Sequence, residues 1–285
     1  MRIYITGIKG QLGRTLARQW GASAEVSGGD LPQVDITDPS NITAAIMDAR
    51  PEVVVHCAAM TDVDNCARNP ELAYRVNGMG TQNVALACQR AGATLLYIST
   101  NEVFSGRWGN APARAYREFD RPDPVNPYGR SKSAAEWFVR HLLTQFYIVR
   151  TAWLYAPGGR NFIHAIQDAA DRQGALCVVT DEVGNPTYVE DLALALIQLA
   201  ATGRYGVYHL VNQGACSRLS FAATILELSG RGEAPITPIT SAQWPRPSTP
   251  PAFAPLENIC AAALGVRLRP WQEALADYIK LASGE

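Results

Sequence analysis

An apolar run, Arg2-Ile3-Tyr4-Ile5-Thr6, breaks straight into three evenly spaced glycines, Gly7, Gly10 and Gly13. Few features restrict a fold more. The run is short and rich in strand-forming residues, so it reads as a buried strand. Gln11 to Trp20 then reads as a helix. In a strand–turn–helix of this kind the first glycine permits the tight turn. The second lets the backbone approach a pyrophosphate, and the third lets helix and strand pack closely. The helix start offers free amides and the positive end of its dipole to phosphates. Gly7, Gly10, Gln11, Leu12 and Gly13 are therefore candidates for a dinucleotide cradle. The spacing differs from the usual GxGxxG, and a purely structural turn is the plain alternative.

The rhythm set by this unit continues. Ala24 to Gly29 reads as a second strand, Val53 to His56 as a third, Leu95 to Ser99 as a fourth and Tyr147 to Arg150 as a fifth. Between them, Asp38-Pro39-Ser40 caps a helix through Asp48, and Pro70 opens a helix through Arg90. Short apolar strands alternating with helices imply a parallel sheet covered on both faces. Right-handed crossovers make it an open, doubly wound α/β fold of the Rossmann kind.

Beyond residue 153 the rhythm loosens. Helices are expected at Asn161 to Arg172, Val189 to Ala201 and Trp271 to Leu281, and strands at Leu176 to Val179 and Val207 to Val211. Gly184 to Thr187 reads as a turn, and the proline-dense stretch from Ala234 to Pro255 as loop with at most one short strand. Residues 1–153 form the expected dinucleotide-binding domain, with 189–212 returning to it. Residues 154–188 and 213–285 form a smaller, discontinuous substrate-binding lobe.

Composition removes other classes. The 285 residues are 47% hydrophobic and 18% charged, which suits an ordinary soluble globular chain. A net charge of -1 with no basic stripe argues against nucleic-acid or membrane-surface partners. The apolar stretch before Gly7 is too short for a signal-peptide core, and no run is long enough to span a membrane. The six cysteines and four histidines are scattered without metal-ligand spacing. No metal site and a cytoplasmic address are expected.

Asp30 closes the second strand, 17 residues after Gly13. An acid about 20 residues beyond the glycines hydrogen-bonds the adenosine ribose. Its carboxylate repels a 2′-phosphate, and Leu31 supplies no compensating cation, so NADH is favoured and NADPH is the second choice. Asp35 and Ile36 are candidates for the adenine pocket, or simply a loop before a helix cap.

Tyr128 and Lys132 are four residues apart and share a helix face. A free phenol titrates near pH 10, too high for efficient proton transfer at neutral pH. A nearby ammonium lowers that value, so a Lys132-tuned Tyr128 becomes a proton donor to a substrate oxygen. Ser99-Thr100 ends the fourth strand, where ligands sit in open parallel sheets. Thr100 is placed to hydrogen-bond the same oxygen, and Lys132 to hold the nicotinamide ribose. Alone, a Tyr and a Lys four apart are commonplace; their order after the glycine turn and Thr100 gives them meaning.

With these residues, the chain resembles an extended short-chain dehydrogenase/reductase, and within that class the dTDP-4-dehydrorhamnose reductase group. The resemblance spans nearly the whole chain. It rests on Thr6-Gly7 through Gln11-Leu12-Gly13, Val55-His56-Cys57-Ala58-Ala59, Thr61-Asp62-Val63-Asp64, Val76-Asn77 and Ile98-Ser99-Thr100. Asn126 to Lys132, Val149-Arg150-Thr151-Ala152-Trp153-Leu154-Tyr155, Asn161-Phe162, Gly184 to Tyr188 and Arg246-Pro247 complete it. The resemblance implies reduction of the 4-keto group of a nucleotide-linked deoxysugar. Thr100 and Tyr128 would polarise and protonate the ketone, and Lys132 would tune the tyrosine. Ala58, Ala59 and Ser99 would line the cofactor. Thr61, Val63 and Trp153 would edge the sugar pocket, with Arg246 near the nucleotide phosphates. A homodimer is compatible with the family. No acidic cluster places the Mg²⁺ that some members are thought to hold at a dimer contact.

One departure matters. The group usually has Asp-Tyr after the threonine, whereas here Asn101-Glu102 follows. A glutamate there is similar to the sugar-nucleotide 4,6-dehydratases, but the amide of Asn101 cannot act as their acid. A reductase with an altered sugar pocket, touching Asn101 and Glu102, is the preferred reading. The alternatives are a dehydratase or epimerase using Glu102, and a non-catalytic subunit resembling the regulatory subunit of methionine adenosyltransferase.

Overall fold

The computed structural model describes residues 1–108, 113–158 and 161–283. Its centre is a six-stranded sheet of β1 (Arg2–Thr6), β2 (Glu25–Gly29), β3 (Val53–His56), β4 (Thr94–Thr100), β5 (Phe146–Thr151) and a sixth strand, Gly206–His209. Every pairing in it is parallel. The spatial order is β2-β1-β3-β4-β5 and then the sixth strand, so the chain reverses direction across the sheet between β1 and β3. Ligand crevices of open α/β sheets form at such a switch point, beyond the carboxyl ends of the strands.

Successive side chains of a strand point to opposite faces, and both faces here are buried. Ile3, Ile5, Val55 and Val149 pack on one side with Leu16, Trp20, Leu192 and Leu196 of the helices Gln11–Trp20 and Val189–Ala201. Tyr4, Val54, Tyr97 and Ile148 pack on the other with Ile42, Val84 and Val139 of the helices Pro39–Ala49, Gly80–Ala91 and Pro127–Leu142. A separate apolar cluster joins Tyr155, Ile163, Leu176, Tyr188, Phe221, Ile225, Trp271 and Leu275.

Asp38 caps its helix as expected, accepting from the amides of Ser40 (2.9 Å) and Asn41 (3.0 Å). The single helix expected after Pro70 instead comprises Pro70–Ala73, a wider π segment Tyr74–Met79, and Gly80–Ala91. The π segment carries Asn77, which accepts from Met60 N (2.8 Å) and donates to Met60 O and Ser131 Oγ (3.0 Å each). It thereby ties the loop after β3 to the helix that bears Tyr128. Val63–Arg68, Arg218–Leu228 and Ile259–Ala263 are further helices. Ile236–Ile239 is the short strand of the proline-dense stretch, paired with Leu176–Val179. Among the described residues no helix is long and apolar enough to cross a membrane.

Candidate active site

A cleft of about 920 Å³ lies beyond the carboxyl ends of β1, β3, β4 and β5. Gly7 leaves β1 with φ +70°, and a Cβ there would come within 2.7 Å of Ala58 N, so glycine is what lets the turns after β1 and β3 meet. A Cβ on Gly13 would collide with Gly7 O. Gly10 is the N-cap of the following helix and brings no capping side chain. The first-turn amides of Gln11, Leu12 and Gly13 have no intrahelical acceptor, and all three residues line the cleft. This donor set fits a diphosphate.

Asp30, Asp35 and Ile36 line the same cleft. The Asp30 carboxylate accepts from the amides of Lys9 (3.1 Å) and Leu31 (2.9 Å), which fixes it at the carboxyl end of β2. Asp35 instead accepts from Thr37 N and Oγ1 (2.8 Å each), and the side chain of Ile36 is buried in the core.

At the carboxyl end of β4, Thr100 Oγ1 donates to Asn101 Oδ1 (3.3 Å) and accepts from Glu102 N (3.2 Å). Asn101 in turn donates to Ala254 O (3.1 Å). The helix Pro127–Leu142 arrives against this turn. Its N-cap, Asn126, accepts from Gly129 N (2.8 Å) and donates to the Glu102 carboxylate (2.6 Å). Gly129 is required for the approach, because a Cβ there would run into Glu102 O.

Tyr128 and Lys132 both enter the cleft from this helix. Burial raises the Tyr128 phenol above its usual range, the nearby Glu102 charge raises it further, and the neighbouring Thr100 hydroxyl opposes both. Lys132 Nζ donates to Ile98 O (2.7 Å) and lies 4.3 Å from the Tyr97 ring centroid. Burial lowers its ammonium to about 7, against the supporting charge of Glu136. This differs from the sequence expectation of a phenol acidified by Lys132. In the free protein the dominant effect on both groups is loss of water, which favours neutral forms. Tyr128 is thus held protonated, the state a proton donor needs.

Ala58, Ala59, Thr61, Val63, Ser99, Asn101, Glu102 and Trp153 also line the cleft. Ser99 Oγ donates away from it, to Glu136 Oε1 (2.7 Å). Burial raises the Glu102 carboxyl, with Asn126, Arg218 and Arg246 opposing. Arg246 is outside the lining set, and its Nε donates to Asp64 Oδ1 at 2.9 Å. Sequence reasoning missed Thr151 and Arg218, which do line the cleft. Thr151 belongs to the recognised Arg-Thr-Ala-Trp segment but was given no role, and Arg218 sits in no motif. Among the described residues no group of three or more His, Cys, Asp or Glu is arranged to hold a metal.

A parallel sheet with a glycine cradle at its switch point, and a Thr–Tyr–Lys set beyond β4, defines the extended short-chain dehydrogenase/reductase class. Within that class the chain belongs to the family of the RmlD substrate binding domain, whose family model matches residues 1–283. It is 40% identical over 283 residues to a dTDP-4-dehydrorhamnose reductase of Mycobacterium tuberculosis, covering 96% of this chain and 91% of that one. Among solved structures, a dTDP-4-dehydrorhamnose reductase from Clostridium acetobutylicum superposes with a TM-score of 0.94 at 37% identity, over 99% of this chain and 100% of that one. The Bacillus anthracis dTDP-4-dehydrorhamnose reductase, solved in complex with NADP, gives 0.92 at 35% identity, over 97% and 98%.

Proposed function

We propose that this chain reduces the 4-keto group of a dTDP-linked deoxysugar, with a reduced nicotinamide dinucleotide as hydride donor. The observation that carries the reading is the Thr100–Tyr128 pair, set in one cleft with the glycine cradle. The amides of Gln11, Leu12 and Gly13 would hold the diphosphate of the dinucleotide, Asp30 a ribose hydroxyl, and Ala58 and Ala59 the path towards Lys132. When bound, the dinucleotide supplies the hydride. Thr100 and Tyr128 orient and polarise the ketone oxygen, and Tyr128 Oη delivers the proton as that oxygen becomes an alkoxide. The Lys132 ammonium steadies the phenolate left behind. Residues 1–153 with 189–212 would bind the dinucleotide, while 154–188 with 213–285 would enclose the sugar.

The Asp30 carboxylate favours NADH over NADPH by charge. The NADP complex of the Bacillus anthracis relative supports NADPH as a donor as well. The test is to mix protein, NADH or NADPH, and a dTDP-4-dehydro-6-deoxysugar, and to follow oxidation of the dinucleotide. Tyr128→Phe should lower kcat by about 10²- to 10⁴-fold and leave dinucleotide binding intact. A wild type that binds the dinucleotide yet oxidises none across a panel of such sugars would sink the reading.

A second reading draws on Glu102, whose raised carboxyl lines the cleft and influences Tyr128. Such a group suits proton abstraction beside a ketone, as in an epimerase or dehydratase. Its signature is solvent deuterium entering the sugar without net consumption of NAD(P)H.

A further inference from the structure

Arg218 and Lys132 are the only Lys or Arg residues among the described residues that line the cleft. Lys132 is engaged with Ile98 O. Arg218 opens the helix Arg218–Leu228 behind its N-cap Ser217, where the helix dipole disfavours a cation. Other contacts hold it there. Its Cζ stands 3.6 Å from the Trp153 ring centroid and 5.1 Å from that of Phe162. Its Nε donates to Glu182 Oε2 at 3.3 Å, and its side chain is 23% exposed against 9% for Glu182.

A guanidinium has five N–H donors in a rigid fork. Here the aromatic rings fix its plane and Glu182 takes Nε. Among the described residues, the Nη groups make no hydrogen bond and are not sealed from water. Water loss lowers the Arg218 pKa, and the neighbouring Arg246 adds to that, while Glu182 and Glu102 oppose. A partly desolvated, clamped cation with free fork donors in a cleft is suited to an anion with several acceptor oxygens. Arg246 also pairs through Nε with a carboxylate, that of Asp64, but unlike Arg218 it does not line the cleft.

We propose that Arg218, rather than Arg246, grips the diphosphate of the nucleotide sugar. This rests on the reading of the substrate given above, in which the diphosphate is the anionic part. Trp153 then does two things at once: it faces the cleft and it holds the fork in plane.

The test is calorimetric binding of dTDP and of thymidine to the full chain, as wild type, Arg218→Gln, Arg218→Lys and Arg246→Gln. Wild type should bind dTDP more tightly than thymidine. Arg218→Gln should weaken dTDP by roughly 10- to 100-fold, as expected for loss of a charge-assisted contact, and leave thymidine unchanged. Arg218→Lys keeps the charge and loses the fork, so it should fall between. NADPH binding by each variant checks the fold, and Arg218→Lys decides the matter if Arg218→Gln fails that check. Unchanged dTDP affinity in the folded Arg218 variants overturns the proposal. So does a larger loss in Arg246→Gln, or a wild type that does not distinguish dTDP from thymidine. Turnover of the dTDP-4-dehydro sugar by wild type is scored separately. Turnover with a harmless Arg218 substitution removes Arg218 alone, and absent turnover removes the reductase reading.

Discussion

The indole of Trp153 occupies the space that a side chain on Gly184 would need, since a Cβ built on that glycine comes within 2.7 Å of Trp153 Cε2. Trp153 is also one of two non-glycine residues among those described with positive φ, at 43°. Such a backbone costs on the order of 1–3 kcal/mol and persists where the surroundings over-determine it. Here Gly184 leaves the space and Arg218 covers the ring. Gly184→Ala should push the indole towards the cleft. The expected outcome is a kcat/KM for nucleotide sugar lower by about tenfold, the equivalent of some 1.4 kcal/mol of overpacking. Dinucleotide affinity should be unchanged. An unaltered kcat/KM would show that the seat of Trp153 does not matter to substrate.

Lys132 carries a cost of burial. The side chain is 3% exposed, and burial lowers its pKa to about 7. A lysine with a depressed folded pKa binds its proton less tightly than the unfolded chain does. Stability therefore falls as pH drops from the unfolded value near 10.4 through 7, and the full cost is present below 7. Lys132→Met keeps most of the volume and removes the charge. We expect its melting temperature at pH 6 to rise by a few degrees while reductase turnover is lost. A lower melting temperature would mean that the Ile98 and Tyr97 contacts outweigh the burial.

Much of this was legible in the sequence, for identifiable reasons. Gly7 and Gly13 are demanded by backbone contacts with Ala58 and Gly7 itself, and such contacts leave a spacing that can be read. Tyr128 and Lys132 are four apart on one helix, so local geometry alone brings them to one face. The strand Val53–His56 and the helix Val189–Ala201 match their expected limits because their apolar runs are dense and bounded. Arg218 was invisible, because its meaning comes from Trp153 and Glu182, which fold back from distant positions. Its helix was also missed. Arg246 drew attention through its Arg-Pro dipeptide, while its partner Asp64 lies 182 residues away. The protonation state of Tyr128 depends on burial and on Glu102, neither of which spacing reveals.

Two buried histidines set the acid limit of the fold. His56 Nδ1 lies 2.6 Å from Thr6 Oγ1, and Nε2 lies 3.0 Å from Thr81 Oγ1, whose own proton goes to Asn77 O. That arrangement suits a neutral imidazole protonated on Nε2. Burial, assisted by the charge of Lys132, lowers the His56 pKa to about 3; burial and Arg150 do the same for His209. The unfolded chain takes up these protons near pH 6.5 and the folded chain does not. Stability is therefore fully present above 6.5 and falls as pH drops towards 3, by about 1.4 kcal/mol per pH unit for each histidine. Urea unfolding at pH 7, 6 and 5 should show this slope, and His56→Gln should remove about half of what the pair contributes. A slope identical in His56→Gln and wild type would contradict the assignment.

Behind the reacting centre, Arg150 is fully buried and pairs with Glu136 through two bonds, Nε to Oε1 at 2.8 Å and Nη2 to Oε2 at 2.7 Å. Burial would raise the Glu136 carboxyl, but the Arg150 charge and hydrogen bonds, with that of Ser99, bring it below its usual range. Such a pair is strongly destabilising to break and often nearly neutral to replace whole, because removing one member leaves the other charge buried alone. Arg150→Met should cost about 3–5 kcal/mol in urea unfolding, and the double change with Glu136→Leu should cost less than Arg150→Met alone. Additive costs would mean that the two side chains act independently. The pair also reaches Lys132, because the Glu136 charge helps that lysine keep its proton. Glu136→Gln should therefore lower the Lys132 pKa further and shift the pH profile of kcat/KM, an effect that loss of stability alone would not produce.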